Sequence, residues 1–108
     1  MMPLPGEIWL ADLPFTSGAA SKLCPALVLW IDAADVVVAA VTSAAPRSPT
    51  DVSLQGWSAE GLRVPSTVRL SRLDCLEIVL LRRRLGVLSP ADARQVKQVW
   101  ATRVQLRF

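Results

Sequence analysis

The sequence contains no histidine and no tyrosine, and it has only two cysteines among its 108 residues. Without histidine, the Ser-His-Asp triad, histidine-based acid–base chemistry and most transition-metal sites are excluded. The two cysteines, Cys24 and Cys75, cannot build a disulfide framework, and they lack the further ligands that a metal site needs. A glycine-rich phosphate loop is also absent. We therefore expect the protein to use neither a metal ion nor a cofactor.

Long apolar runs are missing as well, because no stretch approaches the roughly 20 residues that span a bilayer. The first five residues, Met1-Met2-Pro3-Leu4-Pro5, lack the basic and apolar regions of a signal peptide. Hydrophobic residues nevertheless make up 52% of the chain, which argues against disorder. The composition predicts a soluble cytoplasmic protein without a membrane partner, folded as a single domain over residues 1–108.

The net charge of +3 is unevenly distributed along the chain. Residues 1–54 carry five acidic and two basic side chains, whereas residues 55–108 carry ten basic and four acidic ones. A basic half suits a polyanion or an acidic partner protein. Charge alone does not distinguish such a surface from an ordinary soluble surface that is rich in arginine.

Short apolar runs predict a mainly β protein with five or more strands. The runs that predict strands cover residues 7–13, 25–31, 36–41, 64–70 and 76–84. Pro25 can begin the second strand without losing a ladder hydrogen bond, and the second and third strands are expected to pair as a hairpin. Residues 44–51 and 56–61 are predicted surface loops, and the small residues of 15–23 predict a mobile loop.

One helix is predicted near the C-terminal end of the chain. Ser89 supplies an N-cap hydroxyl, Pro90 takes the first helical position and Asp92 the third. The apolar residues that follow at three- and four-residue spacing are Ala93, Val96, Val99, Trp100 and Val104. This pattern predicts an amphipathic helix packed on a sheet. The elements fit a small barrel or an open sheet, and periodicity does not distinguish an SH3-like barrel from an OB-like one.

Five segments spread over nearly the whole chain share their order and spacing with one protein family. They are Gly6-Glu7-Ile8-Trp9, Cys24-Pro25-Ala26-Leu27-Val28, Val41-Thr42-Ser43, Gly61-Leu62-Arg63-Val64-Pro65-Ser66-Thr67-Val68-Arg69 and Leu85-Gly86-Val87-Leu88-Ser89. In these segments the sequence resembles the MazF/PemK toxins, the endoribonuclease half of many bacterial toxin–antitoxin pairs. The resemblance implies an SH3-like barrel with a C-terminal helix, a homodimer, and RNA and an acidic antitoxin as partners.

In that family, RNA is cut without a metal ion when the ribose 2′-hydroxyl attacks the adjacent phosphate. The usual active pair is an Arg immediately before the Pro of the second strand and a Thr or Ser at the end of the third. The resemblance therefore places Thr42 and Ser43 at the hydroxyl position and Cys24 at the position of the family arginine. A thiol is neutral and a thiolate would repel phosphate, so Cys24 cannot replace an arginine electrostatically. Lys22, two residues away on an extended chain, shares a face with Cys24 and can bring a charge to the same place.

Four further residues are candidates for RNA binding. Arg69 lies on the segment where the family carries polar residues near the RNA, and we expect it to bind phosphate or to act in the site. Arg82 and Arg84 share one strand face and are expected either to follow an RNA backbone or to pair with an acidic antitoxin tail. Trp57 lies between two loop-like stretches and is the candidate for a base-stacking platform, with the dimer surface and the core as alternatives.

Two alternatives to a ribonuclease stay open at the level of sequence. Because the family arginine is replaced by Cys24, the same scaffold can serve as an inactive module that binds RNA or antitoxin. Related barrels also act on DNA gyrase, so a gyrase-directed toxin is the second alternative, by analogy at the level of the fold.

Overall fold

Antiparallel strands form a single sheet in the computed structural model, which describes residues 2–14 and 21–108, the side chains of residues 14 and 21 excepted. The elements of these ranges are β1 (Glu7–Pro14), β2 (Ser21–Asp32), β3 (Asp35–Thr42), β4 (Asp51–Leu54), β5 (Ser66–Glu77), β6 (Leu81–Val87) and α1 (Pro90–Arg103). A 3-10 turn, Ile78–Leu80, separates β5 from β6. Within the described ranges, no helix has the length and apolarity required to cross a membrane.

The strands follow the order β4-β5-β3-β2-β1-β6 across the sheet. The predicted hairpin is confirmed, since β2 pairs with β3 from Ala26↔Ala40 to Asp32↔Asp35. Its tight turn places Ala33 at φ 56°, a left-handed conformation that a small side chain tolerates. The C-terminal helix is also confirmed, with Ser89 as its N-cap and Pro90 in its first turn.

A loop brings the two edges of the sheet together without a ladder between β4 and β6. Residues 55–62 follow β4 and reach across to β6. A Cβ atom on Gly61 would collide with the carbonyl of Leu85, and one on Gly86 would collide with the carbonyl of Glu60. Gly61 also has φ +93°, where side chains are strained. The two backbones therefore touch directly, and the result is the predicted mainly β, barrel-like fold with a C-terminal helix.

Two apolar clusters stabilise the sheet, since burial of apolar surface is the main favourable contribution to folding. The first includes Ile8, Leu27 and Leu70, and the helix residues Val96, Val99 and Trp100 and the C-cap Val104 pack into it, as their spacing predicts. The second includes Trp9, Val28 and Val36. Cys24 packs against the second cluster and is half-buried.

Several predicted boundaries were wrong. β2 begins at Ser21 rather than Pro25, because residues 21–25 pair with β1, and Pro25 is tolerated because the ladder to β3 starts only at Ala26. β5 runs from Ser66 to Glu77, since it continues to pair with β3, whereas Val64 lies outside it and is exposed. The predicted strand over residues 76–84 is divided, because residues 76 and 77 belong to β5, residues 78–80 form the 3-10 turn, and β6 runs from Leu81 to Val87. The predicted mobility of loop 15–23 concerns mainly residues 15–20, which lie outside the described ranges.

Candidate functional site

An open cleft of about 860 Å³ lies where β2 begins and β3 ends. Among the described residues, its lining carries six cationic side chains and no carboxylate; the cations are Lys22, Arg47, Arg63, Arg69, Arg72 and Arg83. Three hydroxyl-bearing residues, Thr42, Ser43 and Ser66, also line it. A concentration of positive charge with few negative neighbours attracts anions.

The cleft brings together five of the residues predicted from sequence, namely Lys22, Cys24, Thr42, Ser43 and Arg69. The sheet register explains this, because β3 lies between β2 and β5. Ala40 pairs with Ala26 on one side and with Arg69 on the other. Ala40 lines the cleft beside Arg69, and its small side chain leaves room there for a ligand.

The hydroxyl group of Thr42 has a defined orientation. Its Oγ1 accepts a hydrogen bond of 3.2 Å from the backbone N–H of Ala44. Since this bond uses an acceptor site on the oxygen, the hydroxyl proton stays available to donate to a ligand. Ser66, by contrast, donates its proton to the carbonyl of Val64 at 2.8 Å.

Arg69 is held by a buried carboxylate. Its Nε lies 3.4 Å from Oδ1 of Asp51, whose side chain is only 1% exposed, while that of Arg69 is 25% exposed. Oδ2 of Asp51 accepts a 2.9 Å hydrogen bond from the backbone N–H of Arg47. Burial raises the pKa of Asp51, but the hydrogen bonds from Arg47 and Arg69 and the charge of Arg69 outweigh it, so the pKa lies below its usual value.

The other cations of the cleft carry no counter-ion within the described residues. Lys22, Arg47, Arg63, Arg72 and Arg83 form no ion pair there. The sequence Phe15-Thr16-Ser17-Gly18-Ala19-Ala20, outside the described ranges, contains no acidic residue. Five uncompensated charges around one cleft favour a polyanionic ligand over a neutral one.

Arg82 and Arg84 do not line the cleft. Nη2 of Arg82 lies 3.1 Å from Oδ2 of Asp12, and Nε of Arg84 lies 2.7 Å from Oε2 of Glu7. Arg83, on the opposite side of β6, is the one that lines the cleft. The acidic residues of β1 were the available signal for this arrangement, because two carboxylates on a neighbouring strand can pair with two arginines.

Glu7, the first residue of β1, lies outside the cleft lining and binds three hydrogen-bond donors. It accepts hydrogen bonds from Trp9 Nε1 (3.0 Å) and from the Leu4 backbone N–H (2.8 Å), besides its contact with Arg84. Burial raises the pKa of Glu7, and these three donors more than offset it, so the pKa is lowered. Trp57 lies outside the cleft lining and packs against the first apolar cluster, which was its core alternative.

Sequence reasoning did not identify Arg47, Arg63, Arg72 or Arg83 as cleft residues. Arg47 and Arg63 lie on loops, where no periodicity predicts direction. The position of Arg72 depends on an irregularity in the β3–β5 ladder, in which Ala39 pairs with Leu73 and Ala40 pairs with Arg69. The extra residues between those positions bring Arg72 to the same cleft as Arg69.

A buried pair of carboxyl groups supports the wall of the cleft that residues 61–63 form. Glu60 and Asp92 are 1% and 2% exposed. Asp92 accepts hydrogen bonds from the backbone N–H groups of Gln55 (3.0 Å) and Gly56 (2.9 Å). Glu60 accepts one from the backbone N–H of Ser89 through Oε2 (2.8 Å), and its Oε1 has no partner among the described residues.

The two carboxyl groups have opposite acidities. Burial raises the pKa of Glu60, and the facing carboxylate of Asp92 raises it further. Burial also raises the pKa of Asp92, but hydrogen bonds from Glu60, Gly56, Gln55 and Ser89 outweigh it and lower the pKa. Of the two carboxyl groups, Glu60 therefore holds a proton more readily and Asp92 ionises more readily.

The fold is similar to that of several solved structures. An endoribonuclease from Mycobacterial species aligns with TM-score 0.75 and 23% identity, covering 100% of this chain and 96% of that one. An endoribonuclease in complex with its cognate antitoxin, also from Mycobacterial species, aligns with TM-score 0.75 and 24% identity over 98% of both chains. A MazE–MazF structure from Deinococcus radiodurans aligns with TM-score 0.69 and 22% identity over 98% of both.

Comparison at the level of sequence gives the family. Among curated proteins, no sequence matches this chain. The family described as "PemK-like, MazF-like toxin of type II toxin-antitoxin system" matches residues 4–102, which is nearly the whole chain. The protein therefore belongs to the PemK-like, MazF-like toxins of type II toxin–antitoxin systems.

Proposed function

We propose that this toxin is a metal-independent endoribonuclease that cuts RNA inside the basic cleft. The observation that carries the proposal is the lining itself, with six cations, three hydroxyl-bearing residues and no carboxylate among the described residues. Such a lining suits a phosphodiester chain, because each phosphate brings a negative charge and hydrogen-bond acceptors.

The reaction needs no group beyond those in the cleft. The ribose 2′-oxygen attacks the adjacent phosphorus and loses its proton, and the 5′-oxygen leaves and takes up a proton. The products are a 2′,3′-cyclic phosphate and a 5′-hydroxyl. Arg69 and Lys22 stabilise the charge that develops on the phosphate oxygens, and Thr42 and Ser43 donate hydrogen bonds or relay the proton. Cys24 forms a small, uncharged part of the wall.

A cleavage assay with two variants tests the proposal. The wild type should cut single-stranded RNA in excess EDTA, should leave a 2′,3′-cyclic phosphate, and should not cut a substrate without the 2′-hydroxyl. Cys24→Arg restores the family arginine and should raise the rate, whereas Cys75→Arg adds the same charge at an exposed site outside the cleft. If neither the wild type nor Cys24→Arg cuts RNA, or if cleavage requires Mg²⁺, the proposal is wrong.

One specific observation favours the inactive binding module as a second candidate. The position of the family arginine holds Cys24, which packs against apolar residues of the second cluster. If the wild type binds RNA without cutting it and Cys24→Arg cuts, the protein is an inactive form of a nuclease scaffold.

We also propose that the protein is a homodimer and that an acidic antitoxin occupies the cleft. Leu23 and Val64 line the cleft and are 51% and 48% exposed, which is apolar surface that a second chain can cover. The cations beside them suit an acidic antitoxin segment. Sedimentation at micromolar concentration should give a dimer, and the product of an adjacent acidic reading frame should co-purify. A monomer in the first experiment would refute the homodimer.

A further inference from the structure

We infer that Asp51 is a positioning residue that holds Arg69 as the phosphate-binding guanidinium of the cleft, in place of the arginine that Cys24 replaces. The inference rests on the proposed ribonuclease function and names the group that supplies its missing charge. It concerns a carboxylate that does not itself line the cleft.

The geometry divides the guanidinium into a held side and a free side. Nε of Arg69 is occupied by Asp51 Oδ1. The two Nη groups have no hydrogen-bond partner among the described residues, although Arg69 lines the cleft. A guanidinium held through Nε keeps its remaining donors in a fixed plane, where they can bind two oxygens of one phosphate.

Among the six cations of the cleft, Arg69 is the one whose side chain forms an ion pair with another described residue. The side chains of Lys22, Arg63 and Arg83 are exposed and carry no partner within the described residues. A free cation must lose rotamer entropy when it binds, whereas a held one has already lost it. A preorganised donor also stabilises charge in the transition state without reorganisation. Arg69 is therefore the best candidate for a phosphate-binding group.

Asp51 organises a second part of the cleft at the same time. Its Oδ2 accepts the backbone N–H of Arg47, and its own N–H donates to the carbonyl of Ser48 at 3.1 Å. The loop that carries Arg47 is thereby attached to the carboxylate that holds Arg69. One buried group thus links the backbone of Arg47 to the side chain of Arg69, although the two residues lie on different elements.

An electrostatic role and a positioning role of Asp51 predict different effects of Asp51→Asn on RNA binding and on kcat. The substitution removes a negative charge beside the cleft, so electrostatics alone would leave RNA binding equal or tighter. If Asp51 acts by holding Arg69, the substitution should lower kcat by about tenfold or more, because Arg69 loses its orientation. The KM should not rise. A split between kcat and KM therefore separates the two effects.

A double-variant cycle shows whether Asp51 acts through Arg69. Arg69→Gln should lower kcat by about a hundredfold, in the range found for removal of one oxyanion donor. Asp51→Asn in the Arg69→Gln background should lower kcat no further, since there is no guanidinium left to hold. Asp32→Asn and Arg94→Gln are matched controls at exposed sites outside the cleft, and they should leave kcat unchanged. Wild-type kcat in Asp51→Asn, or two fully additive losses, would overturn the inference.

If Asp51→Asn does not fold, Arg69→Lys takes its place, because lysine keeps the charge and loses the planar fork. It should lower kcat by about tenfold or more while binding of a 2′-O-methyl oligonucleotide stays within about threefold. A wild-type kcat in Arg69→Lys would contradict the role of the fork.

A spectroscopic measurement decides the inference even if the wild type does not cut RNA, which would refute only the proposed function. In the wild type, the side-chain Nε–H resonance of Arg69 should be protected from exchange, and in Asp51→Asn this protection should be lost. Addition of the 2′-O-methyl oligonucleotide should shift the Nη resonances of Arg69. If those resonances do not move when the oligonucleotide binds, Arg69 is not the phosphate-binding group and the inference is wrong.

Discussion

Replacement of Glu60 by glutamine should stabilise the folded protein at neutral pH. Oε1 of Glu60 is buried without a hydrogen-bond partner in the described structure, and Asp92 carries a facing carboxylate. The glutamine amide N–H₂ can supply to Asp92 the hydrogen bond that a protonated Glu60 supplies, without a proton that titrates, and the amide oxygen can still accept from the Ser89 N–H. A hydrogen bond to a charged group contributes about 1.5–3 kcal/mol, so keeping it at pH 7 should raise the free energy of unfolding by up to that amount.

The pH dependence has a defined sign. The pKa of Glu60 is raised above 4.5 in the folded protein, so folding favours the protonated form. The stability that this proton provides is fully present below pH 4.5 and is lost as the pH rises through the native pKa. Glu60→Gln should remove this loss, because glutamine does not titrate. Asp92 has a lowered pKa, so its own contribution is present above pH 3.8 and is lost only as the pH falls further.

Urea unfolding between pH 4 and pH 8 measures both effects, with the midpoint and the slope compared at each pH. Glu77→Gln is a matched control, since Glu77 is exposed. The control should leave the stability within about 0.5 kcal/mol of the wild type. If Glu60→Gln is less stable than the wild type at pH 7, or keeps the same decline from pH 4.5 upwards, the proton is not on Glu60 and the reasoning fails.

Further predictions concern the backbone, the acid limit and the cleft. Gly61→Ala should lower the free energy of unfolding by more than about 3 kcal/mol, because the added Cβ collides with the carbonyl of Leu85. Gly6→Ala, at φ +90° with open space around it, should lower it by only about 1–2 kcal/mol. Equal losses of stability for the two variants in thermal melts would contradict the contact between Gly61 and Leu85. The ionised Glu7 stabilises the fold above pH 4.5 and this contribution is lost as the pH falls, so the stability of Glu7→Gln should decline less steeply with acid than that of the wild type. An identical decline below pH 4.5 in urea unfolding would contradict this role of Glu7. RNA binding should weaken steeply with salt, at a slope of about −0.7 for each phosphate contact, and a salt-independent affinity would exclude the cleft cations as ligands. Lys22→Ala should lower RNA cleavage while the melting temperature stays within a few degrees; full activity would remove Lys22 from the site.

The sequence predicted correctly those elements that depend only on residues close together in the chain. The cap of α1 was correct because Ser89, Pro90 and Asp92 act within one helical turn. The β2–β3 hairpin was correct because both runs are apolar and a short turn joins them. β5 was too short in the prediction because its length depends on pairing with β3, which the alternation of its own residues does not show.

The candidate site was only partly predictable for the same reason. Lys22, Cys24 and Thr42 could be placed together because they follow the family's motifs along adjacent strands. Arg72 reaches the cleft through a ladder irregularity, and Arg83 reaches it because it faces away from Arg82 and Arg84, whose side chains pair with acids of β1. No sequence pattern predicts the roles of Asp51 and Glu60, because the burial and hydrogen-bond partners of a carboxylate are known only from the folded structure.

The three consecutive arginines of β6 lie on an outer strand of the sheet, and this position makes them important for solubility. β6 is an outer strand of the sheet, and the loop with Gly61 touches it at Leu85 and Gly86. Arg82–Arg84 lie farther along this outer strand with exposed side chains, and a strand from another molecule that paired there would align like charges. Arg82 and Arg84 thus protect an exposed backbone edge even though they do not line the cleft. Neutral β-formers at these two positions would leave the cleft intact and turn the edge into a site for aggregation.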